Sequence, residues 1–293
     1  LLVTGPSGNV GAELTAHLAR TSTAPWRVGS RHPERIADTV AGSSAQTVRL
    51  DFHDRSTWAP ALEGLDRMFL LFPLPTNSAA RAAIVPFIAA AAAAGCRHVV
   101  YISVLGADRA RFIPHFTVEA ALRQHIPDST ILRCGFFTQN LHRTISTHGI
   151  DIADHHELFV PAGHGATAFL DARDAAEVAA TILGDPDSHR GAVYHLTGPQ
   201  RLTMTEVADI LTTTLGYPVR YTNPGMWAFA GACGGRGVGY DTIAFMAAVY
   251  TLTRLGFNQQ ITTHVSDLLH RPAGTVEDYL RVSAWRWHQH AWT

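Results

Sequence analysis

The amino-acid sequence predicts an α/β protein built on a doubly wound parallel sheet, followed by a smaller C-terminal α/β lobe. Short apolar segments alternate with helical patterns through the first two thirds of the 293 residues. That alternation is typical of a parallel sheet whose two faces are covered by helices. A second observation agrees, because the first apolar segment runs through three regularly spaced glycines directly into a helical pattern.

The first two thirds of the chain consist of short predicted strands separated by longer helical patterns. Each strand is a brief apolar run, and each helix carries apolar residues at helical spacing. Pro114 suits the first turn of one helix, and Gly95 is a natural stop for the helix before it. The predicted strands are 1–4, 26–30, 47–51, 67–72, 98–103 and 129–134, and the predicted helices are 10–20, 78–95 and 114–124.

The pattern changes after Gly135, where loops rich in His, Asp and Gly separate the elements. Thr203 or Thr205 is the expected N-cap of a helix that has Glu206 in its first turn. The glycine-rich run 231–239 follows no strand, so we predict a mobile loop there. The predicted strands are 169–171, 192–196 and 219–222, and the predicted helices are 174–183, 203–215, 242–255, 265–269 and 276–287.

These elements predict one domain over residues 1–150, to which residues 166–190 return. Residues 151–293 are expected to form mainly a second lobe that binds substrate. The second lobe is interleaved with the sheet rather than separated from it by a linker.

The composition argues against several classes of function. A formal net charge of -1 is unlike a surface that binds nucleic acid, and the longest apolar run, 84–95, is too short to span a membrane. Three cysteines without pairing or ligand spacing are typical of reduced thiols, so we expect a cytoplasmic protein. All 23 basic residues are arginine, which excludes a Tyr-x-x-x-Lys pair. The 17 histidines lack a matching set of ligand residues, so we predict no metal site.

The glycine-rich turn after the first strand predicts a binding site for a dinucleotide. Gly5 permits a tight turn, Gly8 allows the backbone to approach a phosphate, and Gly11 allows the helix to pack closely. The helix then presents free N–H groups and the positive end of its dipole to the pyrophosphate, as in a Rossmann domain. The residues predicted to contact the pyrophosphate are Gly5, Ser7, Gly8, Asn9, Val10 and Gly11.

The residues after the second strand indicate which dinucleotide binds. An acidic residue at this strand end favours NAD, whereas an arginine accommodates the 2′-phosphate of NADP. Here Arg31 stands at that position, with Ser30 before it and Arg35 nearby. We therefore predict NADP(H); the alternative is that Arg31 is a solvated surface charge.

Five further segments, in the same order, resemble NmrA-like proteins, which belong to the atypical short-chain dehydrogenases, and their NAD(P)H:quinone oxidoreductase relatives. The resemblance covers nearly the whole chain and implies an NAD(P)-binding Rossmann domain with a cleft against a small C-terminal lobe. It leaves the activity open, because the family contains both reductases and cofactor-sensing regulators. The segments are CRHVVYISV (96–104), TILRCGFFTQNL (130–141), FLDARDAAEVA (169–179), HLTGP (195–199) and TVEDY (275–279).

The resemblance implies further contacts with the cofactor and the substrate. Asp51 and Phe52 would lie beside the adenine, although Asp51 could instead cap the next turn. Phe72 and Pro73 end the fourth strand at the sheet edge where such folds bind ligands, and we predict that they lie along the ribose. The prolines of this segment could instead only end the strand, and the two interpretations are compatible. The loop that begins at Phe136 would lie near the nicotinamide, with Phe136 in contact with the cofactor; alternatively, one of Phe136 and Phe137 is an ordinary core residue. The predicted substrate contacts are Leu74, Leu105, Phe137 and Asn140.

The catalytic machinery of typical short-chain dehydrogenases is only partly represented. Ser103 ends the fifth strand, where those enzymes have their catalytic serine, and the helix that carries their Tyr-x-x-x-Lys pair has His115 and Glu119 instead. Residues four apart share a helix face, so Glu119 could hold one imidazole nitrogen while the other donates a proton. Alternatively, His115 only contacts the cofactor and Glu119 makes a structural hydrogen bond. Ser103 and Glu119 are also among the predicted cofactor contacts.

Together these features predict an NADP(H)-dependent reductase that transfers a hydride to a small apolar or aromatic carbonyl, quinone or imine. Two alternatives stay open: a regulator that senses NADP(H) without turnover, and a non-redox isomerase or cyclase on the same fold. The expected partner is a small-molecule substrate, and we expect binding neither to a nucleic acid nor to a membrane. Whether the protein forms a homodimer is left open.

Overall fold

The computed structural model describes residues 1–71, 76–142 and 147–287, which fold into two compact units. Unit 1 consists of Leu1–Arg133 and Ala175–His195, and unit 2 consists of Cys134–Asp174 and Leu196–Thr293. The predicted first domain, residues 1–150 with a returning segment 166–190, therefore differs from unit 1 at both boundaries. The chain leaves unit 1 at the end of a strand, well before the predicted boundary.

The strands of the described residues are numbered in chain order. They are β1 Leu2–Thr4, β2 Trp26–Ser30, β3 Ala45–Arg49, β4 Arg67–Leu70, β5 His98–Val104, β6 Thr130–Cys134, β7 Phe136–Phe137, β8 Glu157–Leu158, β9 Ala166–Leu170, β10 Val193–Leu196, β11 Arg201–Thr203 and β12 Arg220–Tyr221.

The helices are numbered in the same way. They are α1 Asn9–Thr21, α2 Ala37–Val40, α3 Trp58–Leu62, α4 Asn77–Ala79, α5 Val85–Ala93, α6 Pro114–His125, α7 Thr147–Ile150, α8 Ala172–Gly184, α9 Met204–Leu215, α10 Met226–Gly235, α11 Tyr240–Arg254, α12 His264–Leu269 and α13 Val276–Ser283. None of them is long and apolar enough to cross a membrane.

In the described part of the chain, seven strands form one parallel sheet in the order β10-β6-β5-β4-β1-β2-β3. The strand order reverses direction at β1, which is the topological switch point of a Rossmann fold. The predicted doubly wound parallel sheet is therefore confirmed. The carboxyl ends of β1, β2, β4 and β5 lie along one edge, where a dinucleotide binds in this fold.

The core of unit 1 fills the space between this sheet and its helices. Its largest buried side chains include Phe87 from α5 and Tyr101 from β5, with Trp58 from α3 packed edge-to-face on Phe87. Helix α1 contributes Val10, Leu14 and Leu18, which recur at intervals of four and so form one apolar stripe. This apolar stripe packs α1 against β1, next to the glycine turn.

Unit 2 has two small sheets and a separate apolar core. Strand β9 pairs with β7 in parallel and with β11 in antiparallel orientation, and β8 pairs with β12. Helix α9 has the predicted capping box, in which Thr203 accepts from the Glu206 N–H and Glu206 accepts from the Thr203 N–H. The core is centred on Phe229, Tyr250 and Trp287.

Several predicted elements are corrected by the structure. The third strand ends at Arg49 rather than at residue 51, and the last helix ends at Ser283 and continues as a 3₁₀ turn, Ala284–Trp287. The fourth strand ends at Leu70 within the described residues. The predicted glycine-rich loop 231–239 is wrong in its first half, because α10 extends to Gly235 and buries Phe229 and Cys233 in the core.

Candidate active site

The turn between β1 and α1 has the backbone that its glycines predict. Gly5 adopts a φ of +64°, a left-handed conformation that favours glycine, and its carbonyl accepts a hydrogen bond from the Gly8 N–H at 3.0 Å. A Cβ on Gly11 would lie only 2.0 Å from the Gly5 carbonyl oxygen. The helix can therefore approach the turn this closely only because residue 11 is glycine.

A threonine at the end of β1 fixes the neighbouring strand against this turn. Thr4 Oγ1 donates to the Phe69 carbonyl at 3.1 Å and accepts from the Leu71 N–H at 3.0 Å. The Leu71 side chain then occupies the space that a Cβ on Gly8 would fill, at 2.8 Å. The Leu71 side chain thus packs against the glycine turn, and the backbone of the turn is held in its conformation without a ligand.

The N-terminus of α1 is suited to an anion. Gly8 is its N-cap and supplies no side-chain cap, and the first turn contains no acidic residue. The first N–H groups of a helix have no acceptor within the helix, and the helix dipole adds positive potential there. These groups could hold the pyrophosphate of a dinucleotide through backbone hydrogen bonds.

Two arginines follow the end of β2. Arg31 and Arg35 are exposed, and within the described residues neither forms an ion pair. Ser30 Oγ accepts a hydrogen bond from the His32 N–H at 3.1 Å, which shapes the turn that carries Arg31. Both guanidinium groups are thus available to a phosphate, as the residues after this strand predict for NADP.

Asp51 and Phe52 follow β3, and both are half-buried. Asp51 Oδ1 accepts from the His53 N–H at 2.9 Å. One carboxylate oxygen of Asp51 therefore caps the next turn, as the alternative predicts. Phe52 packs edge-to-face on Phe87 with ring centroids 5.0 Å apart. Their contact with an adenine stays a prediction.

The buried side of α6 carries a charge network that sequence reasoning only partly anticipated. Glu119 is 1% exposed, and its two carboxylate oxygens accept four hydrogen bonds. Ser103 Oγ on β5 donates at 2.7 Å, Arg123 Nη2 on α6 donates at 2.8 Å, and Arg133 on β6 donates through Nε at 3.0 Å and Nη2 at 2.7 Å. One carboxylate therefore ties two neighbouring strands to the helix that packs over them.

These donors decide the charge of Glu119. Burial favours the protonated form, but the hydrogen bonds from Arg133 and Ser103 and the charge of Arg133 outweigh burial, and the pKa of Glu119 lies below its usual value. Burial alone would lower the pKa of Arg133, but the partnership with Glu119 raises it. The pair is ionised, and it has the bidentate geometry that suits an arginine.

The catalytic role predicted for Ser103 does not fit this network. Ser103 is fully buried, and its single hydroxyl proton is directed to Glu119. It cannot donate to a substrate oxygen while it makes that bond. The cofactor contact predicted for Glu119 does not fit this network either, because the carboxylate is buried and its oxygens are already engaged by Ser103, Arg123 and Arg133. The alternative, a structural hydrogen bond, agrees with these contacts.

His115 lies in the first turn of α6 and has a different partner from the one predicted. Its Nδ1 is 2.6 Å from the hydroxyl of Tyr101 on β5, and the two rings are tilted with centroids 5.8 Å apart. The predicted hydrogen bond in which Glu119 accepts from the imidazole is therefore wrong. Burial lowers the pKa of His115 to about 4, so the imidazole is neutral at physiological pH.

In unit 2, the loop that follows β6 is positioned by a buried glutamine. Gln139 Nε2 donates to Asp171 Oδ1 at 2.7 Å, and Gln139 Oε1 accepts from the Ala172 N–H at 2.9 Å. Asp171 also accepts from the Arg173 N–H at 2.8 Å and so caps α8, as a strand-end and helix-cap residue would. The loop from Phe136 to Asn140 is thus anchored to the start of α8.

A second buried carboxylate lies one turn further along α8. Asp174 Oδ1 accepts from Arg271 Nη2 at 2.8 Å, and Asp174 Oδ2 accepts from the Gly274 N–H at 2.7 Å. Here burial outweighs the hydrogen bonds from Gly274 and Arg271, and the pKa of Asp174 is raised. This contact connects α8 to the segment that precedes α13.

The remaining predicted site residues fall into three groups: one packs in an aromatic cluster, some are half-buried, and some lie outside the described residues. Phe136 is half-buried in an aromatic cluster with Phe169, at a centroid distance of 5.2 Å, and with Tyr250 at 6.4 Å. Leu105, Phe137 and Asn140 are half-buried, and their contact with substrate stays a prediction. Three predicted residues lie outside the described residues: Phe72, Pro73 and Leu74.

Sequence reasoning missed Tyr101, Arg133 and Gln139. All three lie inside segments that resemble the family, but each looks like an ordinary member of an apolar strand or a polar loop. The available signal was a polar side chain inside a buried strand, because such a group needs a partner. The sequence does not say which partner that is.

The comparisons with known proteins agree with this architecture. A sequence profile described as NmrA-like family matches residues 1–229, and the chain belongs to that family. The chain is 30% identical over 291 residues to an NAD(P)H azoreductase of Xenophilus azovorans, an alignment that covers 97% of this chain and 98% of the azoreductase.

Two further relatives are similar over nearly their whole length. The chain is 31% identical over 285 residues to a (4-alkanoyl-5-oxo-2,5-dihydrofuran-3-yl)methyl phosphate reductase of Streptomyces griseus, covering 95% of this chain and 96% of the reductase. The crystal structure of an NADPH-dependent quinone oxidoreductase of Escherichia coli complexed with NADPH matches with a TM-score of 0.81 and 25% identity. That match covers 96% of this chain and 99% of the oxidoreductase.

Proposed function

We propose that this protein is an NADP(H)-dependent reductase that transfers a hydride to a small, flat, apolar or aromatic acceptor such as a quinone, a carbonyl or an imine. The reductase class is that of the relatives, which are named as an NAD(P)H azoreductase, a (4-alkanoyl-5-oxo-2,5-dihydrofuran-3-yl)methyl phosphate reductase and an NADPH-dependent quinone oxidoreductase. The acceptor is a finer proposal, supported by the chemistry of the side chains in this chain.

The observation that carries the proposal is the cofactor cradle of unit 1. The uncapped N-terminus of α1 and the glycine turn fit a pyrophosphate, and Arg31 and Arg35 fit a 2′-phosphate. When bound there, NADPH supplies a hydride. The acceptor takes up this hydride together with one proton, so the products are NADP⁺ and an acceptor reduced by two electrons.

The proposed acceptor class follows from the loop that begins at Phe136. Phe137 is half-buried and offers a flat apolar surface on which an aromatic ring can stack, whereas Phe136 packs on Phe169 and Tyr250. Gln139 holds this loop against α8 through Asp171 and Ala172, so the aromatic rings are carried on an anchored segment. Such a surface favours quinones and aromatic imines over charged or aliphatic acceptors.

The chemistry must proceed without a lysine, since the chain contains none. In its place, Glu119 is buried and ionised, and His115 is neutral and hydrogen-bonded to Tyr101. A neutral imidazole can donate a hydrogen bond to the oxygen or nitrogen of the acceptor as negative charge develops on it. For an easily reduced acceptor, orientation beside the hydride donor supplies much of the remaining rate enhancement.

A direct test is to mix the purified protein with NADPH and a panel of quinones, azo compounds, enones and cyclic imines. We expect oxidation of NADPH with at least one quinone or aromatic imine, measured as the loss of the NADPH absorbance band. Tight NADPH binding with no turnover on any member of the panel would contradict the proposal and favour a cofactor-sensing regulator.

The cofactor preference is tested by Arg31→Ala. Loss of one charge-assisted pair with the 2′-phosphate is expected to raise the KM for NADPH about tenfold, because such contacts contribute roughly 1.5 kcal/mol. The KM for NADH should stay the same, since NADH lacks that phosphate. Arg97→Ala is the matched control, because Arg97 is exposed but pairs with Asp66 away from this strand end. Equal losses for both cofactors would contradict the assigned role of Arg31.

A further inference from the structure

We infer that Tyr101 is a positioning residue that fixes the tautomer of His115, so that the proton of the neutral imidazole resides on Nε2. The observation behind this is the contact between the Tyr101 hydroxyl and His115 Nδ1 at 2.6 Å, within unit 1. The catalytic consequence depends on the proposed reductase activity, whereas the tautomer itself does not.

The direction of this hydrogen bond follows from burial. The side chain of Tyr101 is completely buried, and within the described residues His115 Nδ1 is the hydrogen-bond partner of its hydroxyl. If Nδ1 carried the proton and donated it, the phenolic proton would point into the apolar core without an acceptor. Leaving a buried donor unsatisfied costs about 1–3 kcal/mol. The hydroxyl therefore donates, Nδ1 accepts, and the ring proton belongs to Nε2.

Two features of the surroundings keep the tyrosine a donor and the histidine neutral. Burial raises the pKa of Tyr101 far above its usual range, so the phenol retains its proton. His115 is the second residue of α6, where the positive end of the helix dipole disfavours an imidazolium. Burial acts in the same direction on His115, whereas the charge of Glu119 acts weakly against it.

The Glu119 network keeps the imidazole of His115 within hydrogen-bond distance of the Tyr101 hydroxyl. Glu119 lies one turn beyond His115 on α6, and its bonds to Ser103 and Arg133 attach that helix to β5 and β6. Tyr101 and Ser103 are two residues apart on β5, so their side chains project to the same face of the sheet. One strand face thus holds both the ion network that sets the helix position and the hydroxyl that sets the imidazole tautomer.

The functional consequence concerns the kind of donor that His115 provides. An Nε2–H on a neutral imidazole is a hydrogen-bond donor for a developing oxyanion, rather than a strong acid. The proton that the reduced acceptor finally takes up then comes from solvent water. Tyr101 contributes by keeping the proton on Nε2, because a hydrogen bond to one ring nitrogen of a histidine decides which nitrogen carries the proton.

The tautomer is measured directly by nitrogen NMR on protein with ¹⁵N-labelled histidine, with the His115 signals identified by their absence in His115→Gln. We expect a pyridine-like Nδ1 and a pyrrole-like Nε2 in the wild type. In Tyr101→Phe, which keeps the ring but removes the hydroxyl, both signals should move toward values for mixed tautomers. Tyr250→Phe is the matched control, because it removes a buried Tyr–His hydrogen bond, to His148, in unit 2.

A protonated Nδ1 in the wild type would overturn the inference, as would His115 signals that do not change in Tyr101→Phe. The wild-type measurement decides the question even if Tyr101→Phe fails to fold. It also decides it if no acceptor is turned over, so failure of the proposed function is distinguished from failure of the tautomer assignment.

The catalytic consequence is tested by a double-mutant cycle on an acceptor that the wild type reduces. Tyr101→Phe should lower kcat about tenfold and leave the KM for NADPH unchanged, which corresponds to about 1.4 kcal/mol. In the His115→Gln background, the same substitution should have no further effect on kcat, because Tyr101 acts only through His115. Additive losses would show that Tyr101 acts independently of the imidazole and would overturn this part of the inference.

Discussion

The two units each contain a buried carboxylate that is bonded to arginine, but the two carboxylates have opposite electrostatic properties. Glu119 in unit 1 accepts four hydrogen bonds from three side chains, and its pKa is lowered. Asp174 in unit 2 accepts from Arg271 and the Gly274 N–H, and its pKa is raised.

Burial alone does not explain this difference, because Glu119 is 1% exposed and Asp174 is 3% exposed. The number and charge of the donors decide the sign. Arg133 is itself buried and binds Glu119 with two nitrogens, whereas Arg271 is 40% exposed and makes one bond to Asp174. Asp171 also lies close enough to Asp174 for its charge to favour protonation.

Glu119→Gln should therefore have the largest effect on stability. It leaves the Arg133 guanidinium buried without its carboxylate, and breaking a buried ion pair in this way costs about 3 kcal/mol. Denaturant unfolding followed by tryptophan fluorescence measures the change. A loss below about 1 kcal/mol would mean that Asp108, 3.3 Å from Arg133, can replace Glu119 as its partner.

The pH dependence of stability should distinguish the two carboxylates by sign. The folded pKa of Glu119 lies below 4.5, so its contribution is present above pH 4.5 and is lost as the pH falls through the folded pKa. The stability difference between wild type and Glu119→Gln should then shrink in acid.

Asp174 should show the reverse dependence. Its folded pKa lies above 3.8, so its contribution is fully present below pH 3.8 and is lost as the pH rises through the folded pKa. The stability of the wild type relative to Asp174→Asn should then increase in acid. Unfolding of both variants and the wild type between pH 3 and pH 7 would measure these slopes, and slopes of the same sign would break the comparison.

Asp174→Asn at neutral pH should have the smallest effect, a loss of about 1 kcal/mol or less. The amide oxygen can still accept from the Gly274 N–H, and the bond lost to the partly exposed Arg271 is screened by solvent. The same unfolding experiment as for Glu119→Gln measures the loss. A loss as large as that of Glu119→Gln would show that donor number does not separate the two sites.

The parts of the fold that were predictable from the sequence rest on local patterns. The glycine turn, the alternation of strands and helices and the capping box of Thr203 and Glu206 are each encoded within about a dozen residues. Local patterning failed at residues 231–235, where glycines favour a loop but α10 forms. Burial of Phe229 and Cys233 outweighs the low helix propensity of glycine there.

The candidate site was predictable to a similar degree. The position of Arg31 directly after β2 and its exposure agree with the sequence pattern, and its contact with a 2′-phosphate stays a prediction. Helical spacing correctly brought His115 and Glu119 to one helix, yet it suggested the wrong partnership, because spacing describes one helix and not the strands beneath it. The true partners lie elsewhere in the chain: Tyr101 is 14 residues from His115, and Ser103 is 16 residues from Glu119.

The sequence by itself determined the fold class, the dinucleotide turn and the absence of a catalytic lysine. Each of these follows from residue identity and short-range spacing. Only the tertiary structure decided that Ser103 donates a hydrogen bond to Glu119, that Arg133 forms an ion pair with Glu119 and that Tyr101 is hydrogen-bonded to His115. The physical reason is that a buried polar group must be satisfied by whichever partner the packed strands bring within hydrogen-bond distance, and only the folded chain determines that partner.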